Sequence, residues 1–307
     1  MKRKWTILLS GLGMVIVAAI AGASLYFYNY AFVPSHKTFL SSTTEPAVRK
    51  AQAWLKTVPK ETWHEQAAGA NLRLVADWVP ASHDTPKTIV VAHGYMNTKE
   101  DMARQIKFFH EAGFNVLAPD DRGHGQSQGN YIGYGYADRL DYLKWLQQVI
   151  RRVGPTSQIG LYGVSMGGAT VMYLSGEKLP KQVVSIVEDC GYTSIMDELA
   201  AQGQALFSLP RYPLIPAVAL TASLKAHYNV FAASTILALN HNTRPLLFIH
   251  GAKDAFVPTS MVHREYAADH SEKKLWIVPK AGHAQSLKLQ PNRYQHRVVG
   301  WFNAHWR

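Results

Sequence analysis

The chain has 307 residues, which is enough for one large domain with an appended segment. Its formal net charge is +11, and three of the positive charges lie within the first four residues. No nucleic-acid motif and no other basic run follows, so the charge indicates a solubilising surface or attraction to an anionic envelope, and no nucleic-acid partner is predicted. The single cysteine, Cys190, excludes an intrachain disulfide and is expected to be a buried structural thiol.

An apolar segment near the N-terminus is predicted to place the chain at a membrane. Residues 7–27 are uncharged and mostly apolar, and a helix of this length spans the hydrocarbon core of a bilayer. Basic residues precede the segment and aromatic residues flank both of its ends, which predicts a cytoplasmic N-terminus and translocation of the remainder. We therefore predict a single-pass anchor over residues 1–30 at the cell membrane, with the main domain outside the cytoplasm.

Two alternatives to a retained anchor stay open. Ala21-Gly22-Ala23 fits the small-x-small pattern of signal-peptide cleavage, which would release a secreted protein beginning at residue 24. A buried core helix is the least favoured alternative, because it would have to be apolar on every side. The length of the segment and its aromatic flanks favour the anchor.

Beyond residue 30, the predicted elements alternate between strands and helices. Residues 31–71 are assigned to a linker with a short helix over 44–55, and residues 72–307 to one domain that begins with a partly exposed strand. The predicted strands cover residues 72–79, 88–92, 115–118, 159–162, 183–187, 245–250 and 274–279. The predicted helices cover residues 98–112, 136–153 and 292–306. This alternation predicts an α/β domain with a mainly parallel sheet covered by helices on both faces.

Residues 191–243 interrupt this alternation. The interval is too long for a simple connection, and it holds Ala/Leu-rich helical stretches together with three prolines. We interpret it as a helical cap inserted over the functional site, since long insertions in compact domains are usually functional. Two extra packing helices are the alternative interpretation.

The motif Gly163-Val164-Ser165-Met166-Gly167 lies between a predicted strand and a helix-like stretch of small residues. A serine between two glycines at a strand-to-helix turn is typical of a nucleophile elbow. The turn is too tight for side chains at the glycines, and it lifts the serine hydroxyl clear of the sheet. The helix N-terminus below it favours negative charge. Ser165 is therefore the candidate nucleophile.

An acid and a histidine follow the elbow in chain order. Asp254 comes after the buried strand predicted over 245–250, and His283 comes after the apolar strand predicted over 274–279. Open α/β sheets place their chemistry at the carboxyl ends of their strands. We therefore predict that Ser165, Asp254 and His283 form a catalytic triad of nucleophile, orienting acid and base.

Other residues compete for these roles. Glu188 and Asp189 also follow a predicted strand and are rivals of Asp254 for the acid. His283 is preferred among the 14 histidines because it follows the last predicted strand in a Gly-His setting, whereas His250 is expected to pack at a strand end. The chain has no HExxH motif and no paired spacing of metal ligands, so neither a metal nor a cofactor is predicted.

The ordered motifs resemble the α/β-hydrolase superfamily from about residue 72 to the C-terminus. His93-Gly94-Tyr95 is similar to the family's His-Gly-x segment, and residues 121–127 are similar to its glycine-rich loop. We take that loop as structural, with a substrate contact by its histidine, His124, as the alternative. The resemblance implies a mainly parallel sheet of eight strands with a helical cap. It also implies an oxyanion hole formed by the backbone amides of Tyr95 and Met166.

Within the superfamily, the anchor, the His-Gly-Tyr-Met-Asn segment and the cap resemble bacterial membrane-associated hydrolases related to serine aminopeptidases and carboxylesterases. The resemblance implies an extracytoplasmic serine hydrolase of carboxylesterase type, and short-to-medium acyl esters are the expected substrates. A peptide substrate, as for a serine aminopeptidase, and acyl transfer remain alternatives on the same triad. A non-catalytic, envelope-bound binding protein is the alternative outside enzymes, and the sequence does not determine the oligomeric state.

Overall fold

A computed structural model of the chain describes residues 2–35 and 45–306, and it describes side chains of the first helix from residue 10 onward. The described strands form a single sheet. In chain order they are β1 Glu61–Gln66, β2 Arg73–Val79, β3 Lys87–Ala92, β4 Asn115–Pro119, β5 Gln158–Val164, β6 Val183–Asp189, β7 Leu246–Gly251 and β8 Lys273–Val278. Their order across the sheet is β1-β2-β4-β3-β5-β6-β7-β8.

Every strand of this sheet except β2 runs in the same direction. β2 is antiparallel to its neighbours β1 and β4, whereas the other neighbouring strands pair in parallel. The carboxyl ends of β5, β7 and β8 therefore meet at one edge, where the loops that follow them come together. The prediction of a mainly parallel, eight-stranded α/β sheet is confirmed.

The described helices cover both faces of the sheet. They are α1 Lys2–Phe32, α2 Pro46–Leu55, α3 Ala103–Glu111, α4 Arg139–Val153, α5 Met166–Ser175, α6 Ile195–Phe207, α7 Leu214–Ala226, α8 Thr235–Leu239, α9 Ser260–Ala268, α10 Ser286–Leu289 and α11 Pro291–His305. On one face α2, α3 and α11 bury Leu55, Phe109 and Phe302 against the strands. On the other face α4 and α5 bury Trp145 and Met172. Because both faces are covered, the central strands are buried and mostly apolar.

The sheet begins earlier in the chain than the sequence predicts. Residues 61–66, which were assigned to the linker, form β1 and pair with β2. The boundary placed at residue 72 is therefore too late for the sheet, which includes Glu61. β1 is an edge strand whose residues are all exposed or half-buried, so it lacks the apolar pattern by which a strand is recognised.

Two further expectations are modified by the structure. The partly exposed strand expected over 72–79 is wrong in its exposure, because β1 and β4 flank β2 and residues 74–79 are all buried. The short helix expected over 44–55 is observed as α2, and residue 44 lies outside the described residues.

The insertion between β6 and β7 is helical, as predicted. It comprises α6, α7, a short 3₁₀ turn over Val230–Ala232, and α8. Residues of α6 and α7 line a cavity that reaches Ser165, so these two helices form a cap over the carboxyl edge of the sheet. α8 packs instead against α5 and α9, below the cap.

The predicted apolar helix at the N-terminus is present as α1. From Ser10 to Phe32 it is long and apolar enough, by length and composition, to cross a membrane. Its C-terminal part, from Ser24 to Phe32, packs against the cap, where Ser24 Oγ lies 3.0 Å from Thr221 Oγ1 and Tyr28 and Phe32 are buried. The helix thus packs directly on the α/β domain, and it continues two residues beyond the end predicted for the anchor.

Candidate active site

Ser165 occupies a sharp turn between β5 and α5. Its φ is 57°, a left-handed conformation that a residue with a side chain adopts only when its surroundings impose it. The amide of Ser165 donates to the carbonyl of Asp189 at 2.8 Å, which ties the turn to the end of β6. The strained turn directs the side chain away from the sheet at the N-terminus of α5, as the nucleophile-elbow motif predicts.

The two glycines of the elbow are required by close backbone contacts. A Cβ on Gly163 would lie 2.0 Å from the carbonyl oxygen of Gly167. A Cβ on Gly167 would lie 2.1 Å from the carbonyl oxygen of Ala92, at the end of β3. No side chain fits at these distances, so α5 packs tightly against the neighbouring strands only because both residues are glycine.

The structure brings the three predicted triad residues together. Asp254 follows β7 and His283 follows β8, so both lie at the same edge of the sheet as Ser165. His283 Nε2 lies 2.8 Å from Ser165 Oγ, and His283 Nδ1 lies 2.8 Å from Asp254 Oδ2. These distances are hydrogen bonds in the order acid, histidine, serine, which is the arrangement of a nucleophile activated by a general base.

The surroundings of Asp254 keep it ionised. Burial would raise its pKa, but hydrogen bonds from His250 and His283 outweigh burial and hold the pKa of Asp254 at about 2. The amides of Phe256 and Val257 also donate to Asp254 Oδ1, each at 2.9 Å. An ionised carboxylate only accepts hydrogen bonds, so His283 presents its Nδ1 proton to Asp254 and leaves Nε2 to accept from Ser165.

His250 supports the acid from behind. It is fully buried at the end of β7, as expected, and its Nε2 donates to the carbonyl of Val257 at 3.0 Å. The same nitrogen lies 3.4 Å from Asp254 Oδ2. Burial would lower the pKa of His250, but its hydrogen bonds and the charge of Asp254 raise it above the ordinary value. The sequence predicts the packing of His250 but not this contact.

The rival acids are engaged elsewhere. Tyr294 donates to Asp189 Oδ2 at 2.8 Å, and burial raises the pKa of Asp189 to about 6. Glu188 is fully buried, and the amide of Gly191 donates to its Oε2 at 2.9 Å. Asp254 is therefore the acid that contacts His283.

The His93-Gly94-Tyr95 segment lies beside the nucleophile. A Cβ on Gly94 would be 3.7 Å from Ser165 Cβ, so this backbone passes close to the place where a substrate carbonyl would react. His93 holds the segment in place, since its Nδ1 donates to the carbonyl of Gly94 at 2.8 Å and its Nε2 accepts from the amide of Asp121 at 3.0 Å.

The glycine-rich loop over residues 121–127 supports the same segment. His124 is buried, and its Nε2 accepts from the amide of Met96 at 3.2 Å. Its Nδ1 donates to the carbonyl of Arg122 at 2.9 Å, and burial lowers the pKa of His124 to about 3, so the ring is neutral. Both ring nitrogens of His124 bond to backbone, which agrees with the structural role assigned to the loop.

Cys190 lies close to the triad but behaves as a buried thiol. Its sulfur, an Asp254 oxygen and a His283 nitrogen lie within 4.8 Å of one another. Burial raises the pKa of the Cys190 thiol well above its ordinary value, and the two other groups already bond to each other. A metal needs the thiolate, so these residues are poorly suited to hold one.

A cavity opens at Ser165 beneath the cap. Tyr95, Tyr134, Tyr192 and Phe256 line it around the nucleophile, and the remaining walls come from α1, α6 and α7. Glu198 of α6 is the acidic group in this lining. Its Oε2 has no hydrogen-bond partner among the described residues, and burial raises the pKa of Glu198 to about 8. The cavity suits an apolar group attached to a reacting carbonyl.

The sequence did not predict several residues of this cavity. Glu198 lies in an Ala/Leu-rich cap helix and has no motif around it. Phe27 and Tyr30 belong to the predicted anchor, where aromatic residues indicate a membrane interface. Phe256 had a local signal, since it follows Asp254 by two residues, and its ring lies 4.8 Å from that of His283.

Comparison with known proteins agrees with this architecture. Residues 83–229 match the family of serine aminopeptidases, S33. The chain is 29% identical over 218 residues to protein YqkD of Bacillus subtilis, covering 71% of this chain and 72% of that protein. It is 26% identical over 227 residues to a monoacylglycerol lipase of Mycolicibacterium smegmatis, covering 64% of this chain and 80% of the lipase. The Pyrococcus furiosus esterase Pf2001 has a similar fold, with a TM-score of 0.68 and 23% identity over 90% of this chain and 98% of the esterase.

The strand order, the elbow and these similarities define the class of protein. The chain has the α/β-hydrolase fold, as the ordered sequence motifs predict, and it is similar to hydrolases of that superfamily. The fold alone does not choose among the reactions of this superfamily, so the reaction has to be inferred from the site.

Proposed function

We propose that this chain is a membrane-anchored serine hydrolase that cleaves carboxylic esters outside the cytoplasm. The observation that supports this reaction best is the hydrogen-bonded chain from Asp254 through His283 to Ser165, with 2.8 Å at each step, at the floor of an apolar cavity. Such a chain activates a hydroxyl for attack on a carbonyl, and the cavity offers an apolar wall to the acyl group.

Acylation begins when Ser165 Oγ attacks the ester carbonyl and forms a bond to its carbon. His283 Nε2 takes the hydroxyl proton, and Asp254 stabilises the resulting imidazolium. The tetrahedral oxyanion is bound by the backbone amides of Tyr95 and Met166, and losing one such donor typically costs about 3 kcal/mol of transition-state stabilisation. Collapse of the intermediate breaks the ester bond, and His283 passes its proton to the leaving alkoxide.

Deacylation repeats these steps with water. His283 removes a proton from a water molecule as that molecule attacks the acyl carbon of the Ser165 ester. The second tetrahedral intermediate uses the same two amides. Its collapse releases the carboxylic acid, and the proton returns from His283 to Ser165 Oγ. If an alcohol replaces water at this step, the same site performs acyl transfer.

Labelling with a fluorophosphonate tests the nucleophile directly. We expect the wild-type protein to be labelled at Ser165 and the variant Ser165→Ala to remain unlabelled, because only an activated serine reacts with this probe. An unlabelled wild type, or equal labelling of the variant, would contradict the enzyme and favour an envelope-bound binding protein.

A serine aminopeptidase is the second candidate function, because the S33 family matches residues 83–229. p-Nitrophenyl esters of graded chain length, measured beside aminoacyl-nitroanilides, distinguish the two reactions. We expect faster cleavage of the esters, with preference for short-to-medium acyl chains, since the cavity lining is predominantly apolar. Faster cleavage of the anilides would assign the peptidase instead.

The membrane location is supported by the length and apolar composition of Ser10–Phe32. Mass spectrometry of the mature N-terminus tests whether this helix is retained. We expect an intact N-terminal segment, because its length and aromatic flanks are those of an anchor. A mature chain that begins at Ser24 would show cleavage after Ala23 and a secreted enzyme.

A further inference from the structure

The end of α1 takes part in the substrate cavity. Phe27, Tyr30 and Ala31 line the same cavity as Ser165, although more than a hundred residues separate them from the elbow in the chain. A tether that only holds a domain at a membrane needs no contact with its active site. α1 therefore has a second role that its length and composition do not reveal.

Aromatic contacts join α1 to the end of the cap helix α6. The ring of Phe207 lies 5.1 Å from that of Phe27 and 5.3 Å from that of Tyr30, both edge to face. Phe207 and the adjacent Leu206 also line the cavity and remain partly exposed. Edge-to-face aromatic pairs are favourable but weak contacts. They allow α1 and α6 to separate at this point and admit an acyl chain.

Hydrogen bonds fix the end of α1 to the active-site loops. The carbonyl of Ala31 accepts from the hydroxyl of Tyr95 at 2.8 Å and from the hydroxyl of Tyr134 at 3.1 Å. The amide of Ile132 donates to the carbonyl of Phe32 at 2.7 Å. The last turn of α1 is thus bonded to the residue whose amide is proposed to bind the oxyanion.

The cap helix α7 runs alongside α1 and is apolar on its outer side. Ser24 lies against Thr221, and four residues later Tyr28 lies 5.5 Å below the ammonium of Lys225, so the two helices run in the same direction. Leu220 is 54% exposed and Leu224 is 69% exposed on the side of α7 that faces away from the fold. A helix whose outer side faces water normally carries polar residues there. The exposed leucines of α7 do not follow this pattern.

These exposed side chains continue the exposed apolar surface of α1. Leu12, Met14 and Val17 of α1 are more than half exposed, and α7 packs directly on the second half of this helix. A large exposed apolar surface on a soluble protein marks an interaction site. Here the helix it adjoins has the length of a membrane span, so the bilayer is the partner whose chemistry fits.

We propose that α1 forms a wall of the acyl-binding cavity and that α7 with the end of α6 lies in the outer leaflet. The substrate is then a single-chain acyl ester resident in the membrane, whose chain enters between Phe27 and Phe207 and reaches Ser165 without crossing water. The proposal rests on the proposed esterase function.

The cavity wall is tested in the full-length protein reconstituted in lipid nanodiscs. Phe27→Trp adds volume to the cavity wall. Leu25→Trp, the control, introduces a tryptophan at a residue of α1 that is 45% exposed and outside the cavity lining. For each protein the measured quantity is kcat/KM for p-nitrophenyl octanoate divided by kcat/KM for p-nitrophenyl acetate. Fluorophosphonate labelling counts the folded sites in each preparation.

We expect Phe27→Trp to lower this ratio by about tenfold, because filling an acyl pocket penalises the longer chain more than acetate. Leu25→Trp should keep the wild-type ratio. Equal ratios in all three proteins would overturn the wall, even where all of them are labelled and hydrolyse acetate. Absence of labelling and of acetate hydrolysis in the wild type would instead refute the proposed function itself, so the two failures are distinguishable.

The position of α7 is tested with a spin label. Leu224→Cys and Lys178→Cys each place an exposed thiol, the second on the opposite side of the domain beyond the end of α5, while Cys190 is fully buried. In nanodiscs we expect the label at position 224 to be relaxed mainly by oxygen and the label at 178 mainly by a water-soluble nickel chelate, because oxygen concentrates in hydrocarbon. Equal relaxation of the two labels by the nickel chelate would overturn the membrane position of α7.

Discussion

Replacing Glu198 with glutamine tests the apolar character of the cavity. Burial raises the pKa of Glu198 to about 8, a hydrogen bond from Gln202 lowers it, and the charge of Asp254 raises it further. The side chain is 4% exposed, so water does little to screen a charge there. The wild-type cavity therefore holds a neutral carboxyl at neutral pH and a buried negative charge above about pH 8.

The size of the effect on stability follows from the difference in the pKa of Glu198 between the folded and the unfolded chain. A rise in pKa from 4.5 to about 8 corresponds, at about 1.4 kcal/mol per pH unit, to about 5 kcal/mol. Because the pKa is raised in the folded protein, the wild type loses this stability as the pH rises from about 4.5 to about 8. Glutamine does not ionise, so Glu198→Gln gains stability relative to the wild type across the same window.

Thermal unfolding of the full-length protein in detergent measures this effect. We expect the Tm of Glu198→Gln minus that of the wild type to increase by several degrees between about pH 5 and about pH 9. Asp84→Asn, which removes an exposed carboxylate with no ion pair among the described residues, is the control, and its difference should change far less between the two pH values. A Glu198→Gln difference that is equal at both pH values would refute the assignment of a neutral carboxyl to the cavity.

Three further predictions concern the site and its scaffold. Asp254→Asn should lower kcat for ester hydrolysis by about 10⁴-fold, since the amide favours the wrong imidazole tautomer, and a loss below tenfold would contradict the triad. Gly167→Ala should sharply lower the Tm because its Cβ meets a carbonyl oxygen at 2.1 Å, whereas Gly300→Ala in the open part of α11 should leave the Tm equal or higher. Tyr95→Phe removes the 2.8 Å hydrogen bond to the carbonyl of Ala31 and should lower kcat for p-nitrophenyl acetate several-fold, with only a small decrease in Tm. An unchanged kcat would show that this bond to α1 does not position the amide of Tyr95.

The strands and the elbow motif could be predicted because burial of a strand and close backbone contacts each require particular residue types. Seven of the described strands were predicted from the sequence, most of them from short apolar runs and β2 from an alternating pattern. Only glycine fits at positions 163 and 167, because a Cβ there would overlap backbone atoms. The elbow motif can therefore be recognised in the sequence. Ser165, Asp254 and His283 could be grouped from the sequence because each follows a predicted strand. Parallel strands place their carboxyl ends at the same edge of a sheet.

Other features depend on contacts that local sequence does not encode. β1 is an edge strand of polar residues, so it forms because β2 offers it a pairing edge and not because of its own pattern. Glu198 lies on a helix whose register alone would not direct it into a cavity, and its raised pKa results from the walls that surround it.

The amino-acid sequence by itself determined the α/β class, the elbow, the candidate partners of Ser165 and an apolar helix at the N-terminus. Only the tertiary structure decided that the end of this helix lines the cavity beside Ser165. The apolar pattern of a membrane span and that of a pocket wall are the same, because both bury hydrocarbon away from water. Which one a residue such as Phe27 serves is set by the packing of Phe207 against it, a contact between positions 180 residues apart in the chain.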